Sequence, residues 1–243
     1  MKEIPLAHFD VSPEKFEQYL AAQNEETGEQ RKSVDDVIVE DICKEVAILK
    51  DLCHPNIIRY YNSFADSCNV YIIMELLDGY SLGDFILSQS EKRHRVKEST
   101  VWSIFVQLCA SLRYLHVEKR IVHRDLAPGN VLIDAEFNLK LADFGLAKRW
   151  GTQSASVMKS FVGTILYSCP EIVQSQPYTE KADIWSLGCI IYELMTFSQP
   201  FSAGNPLTVA KKIVDGEYEP IDENHYSPLL IQTVRACMTA DPL

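Results

Sequence analysis

The chain has 243 residues, 47% of them hydrophobic and 23% charged, with a formal charge of -11 at pH 7. That apolar share can bury a large core and excludes a disordered protein, and the length suits one large or two small domains. The acidic balance excludes nonspecific nucleic-acid binding, which needs clustered cations against phosphate, and points toward basic substrates. Cysteines at 43, 53, 68, 109, 169, 189 and 237 form no CxxC pair and have no paired histidines beside them, so no zinc site of the usual spacing is present. Their odd number and scatter suit reduced thiols, and hence a cytoplasmic or nuclear protein. No basic-plus-apolar leader opens the chain. The longest apolar runs, such as Trp185 to Phe197, carry Glu193 and are too short to cross a bilayer, so no membrane partner is expected.

In chain order, Met1 to Leu6 (MKEIPL) reads as a fragment of strand. Ala7 to Ser33 is a polar insertion. Within it Ser12, Pro13 and Glu14 make a helix start, Phe16, Tyr19 and Leu20 follow at helical spacing, and QNEETGEQRKS reads as a solvated loop. From about Val34 the apolar positions Val34, Ile38, Ile42, Leu49 and Leu52 predict a long amphipathic helix ended by His54 and Pro55. Between Arg59 and Leu77 two strand-like runs, RYYNSF and VYIIMELL, flank the turn-forming ADSCN. Gly79 marks a change from strand-rich to helix-rich sequence. Ser99 to His116 then shows the period of a long buried helix, with Val101, Ile104, Phe105, Leu108, Leu112 and Leu115 on its apolar face.

The stretch from Ile121 to Gly145 reads IVHRDLAPGNVLIDAEFNLKLADFG. Taken singly, an Asp beside an Arg is a solvated ion pair worth about 0 to 1 kcal/mol, and DFG is a turn. Taken together, HRD, an Asn five positions after its Asp, a hairpin-like segment and DFG compose the parts of a phosphoryl-transfer site. Such a site holds magnesium on nucleotide phosphates with oxygen ligands, here Asn130 and Asp143, and aims a hydroxyl with one carboxylate, here Asp125. An aspartate is ionised at neutral pH and is a poor base, so Asp125 is expected chiefly to orient the acceptor and to take its proton late.

On these motifs the chain resembles a eukaryotic protein kinase. HPNIIRYY, RYLHVEKRIVHRDL and FVGTILYSCPE are most similar to the NIMA-related serine/threonine kinases, and the ILYSCPE run to the divergent tenth branch of that family. The resemblance covers Met1 to Pro242. It implies an α+β, two-lobed fold: an incomplete, β-rich N-lobe over residues 1–78 (the lysine strand, an insertion, the glutamate helix, two strands and the hinge) and a large, mainly helical C-lobe over 79–243 that lacks its last helix. It also implies ATP and Mg2+ as cofactors, a protein substrate, and further domains or regulatory partners in a longer protein.

The resemblance assigns roles residue by residue. Lys2, in a sequence like the family's AxKEI, is the lysine that holds the nucleotide phosphates, and Glu45 is its partner. Met74 is the gatekeeper, the backbone of Glu75 and Leu77 meets the adenine edge, and Leu132 lies under the ring. His123 and Phe144 join the apolar column between the lobes, with Leu49 and Tyr60 above them. Arg124 receives an activation-segment phosphate, for which Ser160 is the first candidate and Thr164, Ser154 and Ser156 follow. Pro170 and Glu171 stand where kinases carry APE, with Cys169 in place of Ala, and Asp183 in KADIWSLGCIIYELMT bonds the catalytic-loop backbone.

Four departures qualify the resemblance. No GxGxxG occurs, since the lysine already stands at position 2. Ala127 replaces the Lys that reaches the transferred phosphate, and Gly129 cannot supply the Arg that tyrosine kinases use instead, which threatens the rate. Ile165 and Leu166 replace the usual Pro and Tyr after GT, leaving Ser/Thr against Tyr preference open. The sequence ends at DPL, before the Arg that pairs with the APE glutamate, so Glu171 is expected to lack that partner. The expectation is therefore an ATP-dependent protein serine/threonine kinase, with a catalytically impaired nucleotide-binding or scaffolding fragment as the alternative.

Overall fold

A computed structural model describes residues 2–5, 18, 34–66, 69–145, 147–149 and 164–239. The smaller lobe is an antiparallel sheet of β1 (Lys2–Pro5), β2 (Tyr60–Ala65) and β3 (Asn69–Met74) in the order β1-β3-β2, with Lys2 opposite Ile72 and Tyr60 opposite Met74. Val70 and Ile72 are buried while Asn69, Tyr71 and Ile73 are only partly covered, the period-two alternation of a half-buried strand. Helix α1 (Val34–Lys50) packs beside this sheet through Ile42, Cys43, Val46 and Leu49. The helix predicted through His54 on the sequence ends at Lys50. There Asp51 and Leu52 donate to the carbonyls of Ile48 and Leu49, tightening the last turn. The residues that follow are held elsewhere: the Cys53 N–H donates to the Tyr114 hydroxyl at 2.9 Å and the Asn56 N–H to His54 Nδ1 at 3.1 Å. Pro55 also pushes His54 toward extended backbone.

The larger lobe opens with β4 (Gly79–Ser81), which pairs with β6 (Val131–Asp134), itself paired with β7 (Leu139–Leu141). Gly79 is required by this close approach, because a Cβ there would stand 2.1 Å from the Ile133 carbonyl oxygen. Helix α2 (Leu82–Lys92) starts on a capping box in which Ser81 Oγ accepts from the Asp84 N–H and the Asp84 carboxylate accepts from the Ser81 N–H. Helix α3 (Glu98–Arg113) buries the predicted Val101, Ile104, Leu108 and Leu112, then loosens into a π-turn (Tyr114–Lys119) that ends at Arg120 in the left-handed region, φ 54°. Strand β5 (Ile121–Val122) pairs with β8 (Lys148–Arg149).

The rest of the lobe is helical: α4 (Pro170–Val173), α5 (Lys181–Thr196), α6 (Pro206–Asp215) and α7 (Pro228–Cys237). Pro stands in the first turn of α4, α6 and α7, and Ser227 and Asn205 cap the last two of the helices that follow α5. Helix α5 is apolar nearly all round and lies at the centre, where Trp185, Leu187, Cys189, Ile190, Ile191 and Leu194 are buried. One apolar core runs from Ile42 through Leu49 and Leu141 to Met238 and so crosses both lobes. Asn56 seams them: its amide donates to Gln107 Oε1 and to the Leu139 carbonyl, and its carbonyl accepts from the Leu141 N–H and Ser111 Oγ.

Candidate active site

The loop carrying His123, Arg124 and Asp125 hangs from one buried carboxylate. Asp183, in the first turn of α5, accepts the His123 N–H at 2.8 Å, the Arg124 N–H at 2.9 Å and a contact from His116 Nε2 at 2.7 Å. These bonds overdetermine the backbone, which is why Arg124 can hold a φ of 70°. His123 is completely buried. Its Nδ1 accepts the Asp125 N–H at 3.3 Å, so the ring proton sits on Nε2 and points at the Ala142 carbonyl, also at 3.3 Å. Burial lowers its pKa and keeps it neutral, although Asp183 pulls the other way. The ring meets Phe144 edge-on, centroids 4.9 Å apart, with Leu49 also buried in that core and Tyr60 packed at its margin.

Asp125, Asn130 and Asp143 come together because β6 and β7 form a hairpin between the last two. Val131 stands opposite Leu141, and the Ala142 N–H donates to the Asn130 carbonyl at 2.8 Å, so Asn130 and Asp143 lie side by side across a span of chain. The Asn130 amide N–H2 donates to the Asp125 carbonyl (2.8 Å) and to Asp125 Oδ2 (3.1 Å), leaving the amide oxygen as the atom with lone pairs to offer. Asp143 adopts φ 58°, and its Oδ1 accepts from the Gly145 N–H at 3.2 Å. A Cβ on Gly145 would stand 3.2 Å from Asp143 Oδ1 and 3.7 Å from Glu45 Oε2. The buried Glu45 therefore reaches from α1 to this turn. Lys2 belongs to β1, but its side chain and hence the Lys2–Glu45 pairing lie outside the described residues.

At the hinge, Met74 ends β3 partly covered. The Glu75 N–H is committed to the Arg59 carbonyl at 2.7 Å, so its own carbonyl is the group that can face a ligand edge. Its carboxylate accepts the Arg59 N–H and pairs with Lys140 at 2.9 Å, fastening the hinge to β7. Nothing in the local sequence marks that pair. Leu76 is 90% exposed, Leu77 is partly covered, and Leu132 faces away from the buried side of β6 that Val131 and Ile133 occupy.

Thr164–Tyr167 forms a 3-10 turn with Ile165 and Tyr167 buried. The Tyr167 hydroxyl donates to Glu193 Oε2 at 2.6 Å, and Ser186 Oγ donates to the Tyr167 carbonyl at 2.7 Å. Burial and the Glu193 charge push the phenol far above its ordinary value; burial raises Glu193 as well, against the Tyr167 bond. Sequence reasoning saw Glu193 only as a charge in an apolar run, and the signal that could have found it was that misfit. Ser154, Ser156 and Ser160 lie outside the described residues, as does the Thr164 side chain. Arg124 lays its guanidinium over the Tyr178 ring at 5.7 Å, and its buried Nε has no hydrogen-bond partner among the described residues. Glu171 sits in the first turn of α4, hydrogen-bonded to Cys169, whose thiol burial pushes up to about 12.

Among the described residues no group of three or more His, Cys, Asp or Glu could hold a metal ion by itself. Asn130 and Asp143 offer hard amide and carboxylate oxygens, and two protein ligands fit an ion that completes its shell with phosphate and water oxygens, as magnesium does.

Comparison with known proteins gives a consistent picture. The protein kinase domain family matches residues 17–242. Over 207 residues the chain is 49% identical to the serine/threonine-protein kinase Nek10 of Mus musculus and to that of Homo sapiens, covering 85% of the chain and 18% of each relative. It is 38% identical over 205 residues to the probable serine/threonine-protein kinase nek2 of Dictyostelium discoideum, covering 83% of the chain and 48% of that relative. The chain thus spans about a fifth to a half of the length of these curated relatives.

Proposed function

Because the chain belongs to the protein kinase domain family and is a NIMA-related serine/threonine kinase domain, we propose that it transfers the γ-phosphoryl group of ATP to a serine or threonine hydroxyl of a protein. The observation that carries this reading is the joined set Asp125, Asn130 and Asp143, with the Asn130 amide on Asp125 and the Asn130 carbonyl tied to Ala142. When bound, the magnesium nucleotide supplies the phosphoryl group and the charge that neutralises its oxygens. Asn130 and Asp143 would hold the metal, Lys2, itself held by Glu45, would hold the phosphates, and Met74, the backbone of Glu75 and Leu77, and Leu132 would frame the adenine. Asp125 would orient the acceptor hydroxyl and take its proton as the hydroxyl oxygen bonds to the γ-phosphorus and the bond from that phosphorus to the departing ADP oxygen breaks.

Arg124, with Ser160 or Thr164 phosphorylated, orders the segment ahead of the acceptor turn. Further domains or regulatory partners accompany this domain in a longer protein, and the odd number and scatter of the cysteines suit a cytoplasmic or nuclear setting. No helix among the described residues is long and apolar enough to cross a membrane. Ala127 and Gly129 favour a slow enzyme over a fast one, but the intact acceptor and metal residues weigh against a mere scaffold. The Asp125→Asn variant should lose phosphate incorporation while keeping the magnesium- and ATP-dependent rise in melting temperature. Unchanged turnover in that variant overturns the assignment.

A further inference from the structure

Between α2 and α3 the chain runs Lys92-Arg93-His94-Arg95-Val96-Lys97, four cations and a histidine within six positions of a chain whose net charge is -11. All five polar side chains are exposed, whereas Val96 is buried. The segment is firmly held. Arg93 caps α2 at φ 53° with its N–H on the Ser90 carbonyl at 3.0 Å, and the His94 N–H reaches the Gln89 carbonyl at the same distance. The Val96 carbonyl accepts the Tyr226 hydroxyl at 3.0 Å, and Lys97 is already the N-cap of α3. Among the described residues the acidic neighbour in ion-pair range of this run is Asp222, 3.7 Å from Arg95.

We propose that this run is a docking surface for a short, extended, acidic segment of the protein substrate, an inference that rests on the kinase reading of the site. Arg95 and Lys97 stand two positions apart in the non-helical chain before α3, where alternate residues of extended chain lie about 6.6 Å apart, and so suit a partner with acidic residues at every second position, while Lys92 ends α2 beside them. A long polyanion or an anionic bilayer would press its further charges against the acidic remainder of the protein within a Debye length of about 8 Å. A short segment engages the patch alone. The patch also has a fixed relation to the chemistry. A Cβ on Gly83, in the first turn of α2, would stand 3.7 Å from the Gly129 nitrogen and from the Pro128 carbonyl carbon. Lys92 follows along the same helix, about 14 Å away at the usual rise per residue. A substrate bridges that span with roughly five extended residues, so acceptor and acidic segment belong to one polypeptide. Docking of this kind raises the local concentration of acceptor and lowers KM without touching kcat.

The test uses a fluorescent peptide of alternating glutamates, its glutamine counterpart, and acceptor peptides with and without the glutamate tail. In the Lys92→Gln, Arg95→Gln, Lys97→Gln triple variant of the whole chain, anisotropy should show the glutamate peptide binding about tenfold more weakly, as several exposed ion pairs together provide. KM should rise by a similar factor for the tailed acceptor alone, with kcat and melting temperature unchanged. Equal binding of the glutamate and glutamine peptides, or wild-type binding by the triple variant, overturns the proposal. So does binding of duplex DNA or phosphatidylserine vesicles where the peptide is silent. If peptide binding depends on the three residues but no acceptor is phosphorylated, the kinase reading fails and the acidic-segment site stands.

Discussion

The two ends of α5 each carry one carboxylate with a segment of chain hung from it, and the two attachments differ in kind. Asp183, fully buried, takes the backbone N–H groups of His123 and Arg124 and a contact from His116. Glu193, partly buried, takes the hydroxyl of Tyr167 from the Thr164–Tyr167 turn. The first grips backbone, so its hold is indifferent to side chains further along the loop. That is why Ala127 and Gly129 can stand where other kinases carry cations without loosening Asp125. The second grips one side chain, and the turn it holds is only as well placed as that phenol.

Replacing Asp183 by Ala should have the largest effect, because it strands two buried N–H groups and His116 at once. A loss of about 3 to 5 kcal/mol is expected by analogy with broken buried ion pairs, read as a drop in urea midpoint. A loss below about 1 kcal/mol, the scale of one exposed pair, would show that the loop holds itself. Tyr167→Phe should cost less, about 1 to 3 kcal/mol, since it removes one donor and leaves a partly buried carboxylate with fewer partners. Its signature would be a change in KM for acceptor peptides larger than the change in ATP affinity; an equal effect on both would assign the turn no special relation to the acceptor.

A third way to sharpen the contrast is pH. Burial lowers the His123 pKa below its ordinary 6.5, so in that range the unfolded chain binds a proton the folded chain does not. Stability should therefore fall as pH drops below about 6.5 and be flat above it, with a slope from this group of at most about 1.4 kcal/mol per pH unit. Denaturation of wild type and His123→Asn between pH 5 and 8 isolates that slope, and identical profiles would remove His123 as its source. The smallest change belongs to neither attachment. Ser81→Ala breaks the α2 capping box and should cost about 1 kcal/mol with KM for acceptor unaltered; a larger kinetic effect would mean that α2 positions Pro128 and Gly129 more tightly than its packing suggests.

Much of this architecture was legible in the chain. The run KADIWSLGCIIYELMT has the same limits as α5, and the apolar period from Val101 to Leu112 is the buried face of α3. Local chemistry was enough for α3, whose helix period is written within a few turns, whereas α5, apolar nearly all round, was legible through the family resemblance. Where the reading slipped, distant groups intervened. The helix expected to reach His54 stops at Lys50 because the following turn is claimed by Tyr114 and by the far end of the β6–β7 hairpin. The tail of the predicted buried helix becomes a π-turn, from which His116 reaches Asp183.

By itself the sequence determined which candidate groups exist and their order: the Asp125 carboxylate, the Asn130 amide, Asp143 two positions before a glycine, and a hairpin short enough to bring Asn130 and Asp143 together. Those relations span few residues, so local conformation settles them. The family resemblance already placed Asp183 under the loop, but tertiary structure alone decided the other fastenings: Glu193 on Tyr167, Lys140 on Glu75, Glu45 against Gly145. Each of those pairs closes a long stretch of chain. Only the packing of one shared core brings such partners within bonding distance, and a sequence pattern carries no record of a contact whose two halves are chosen by the fold.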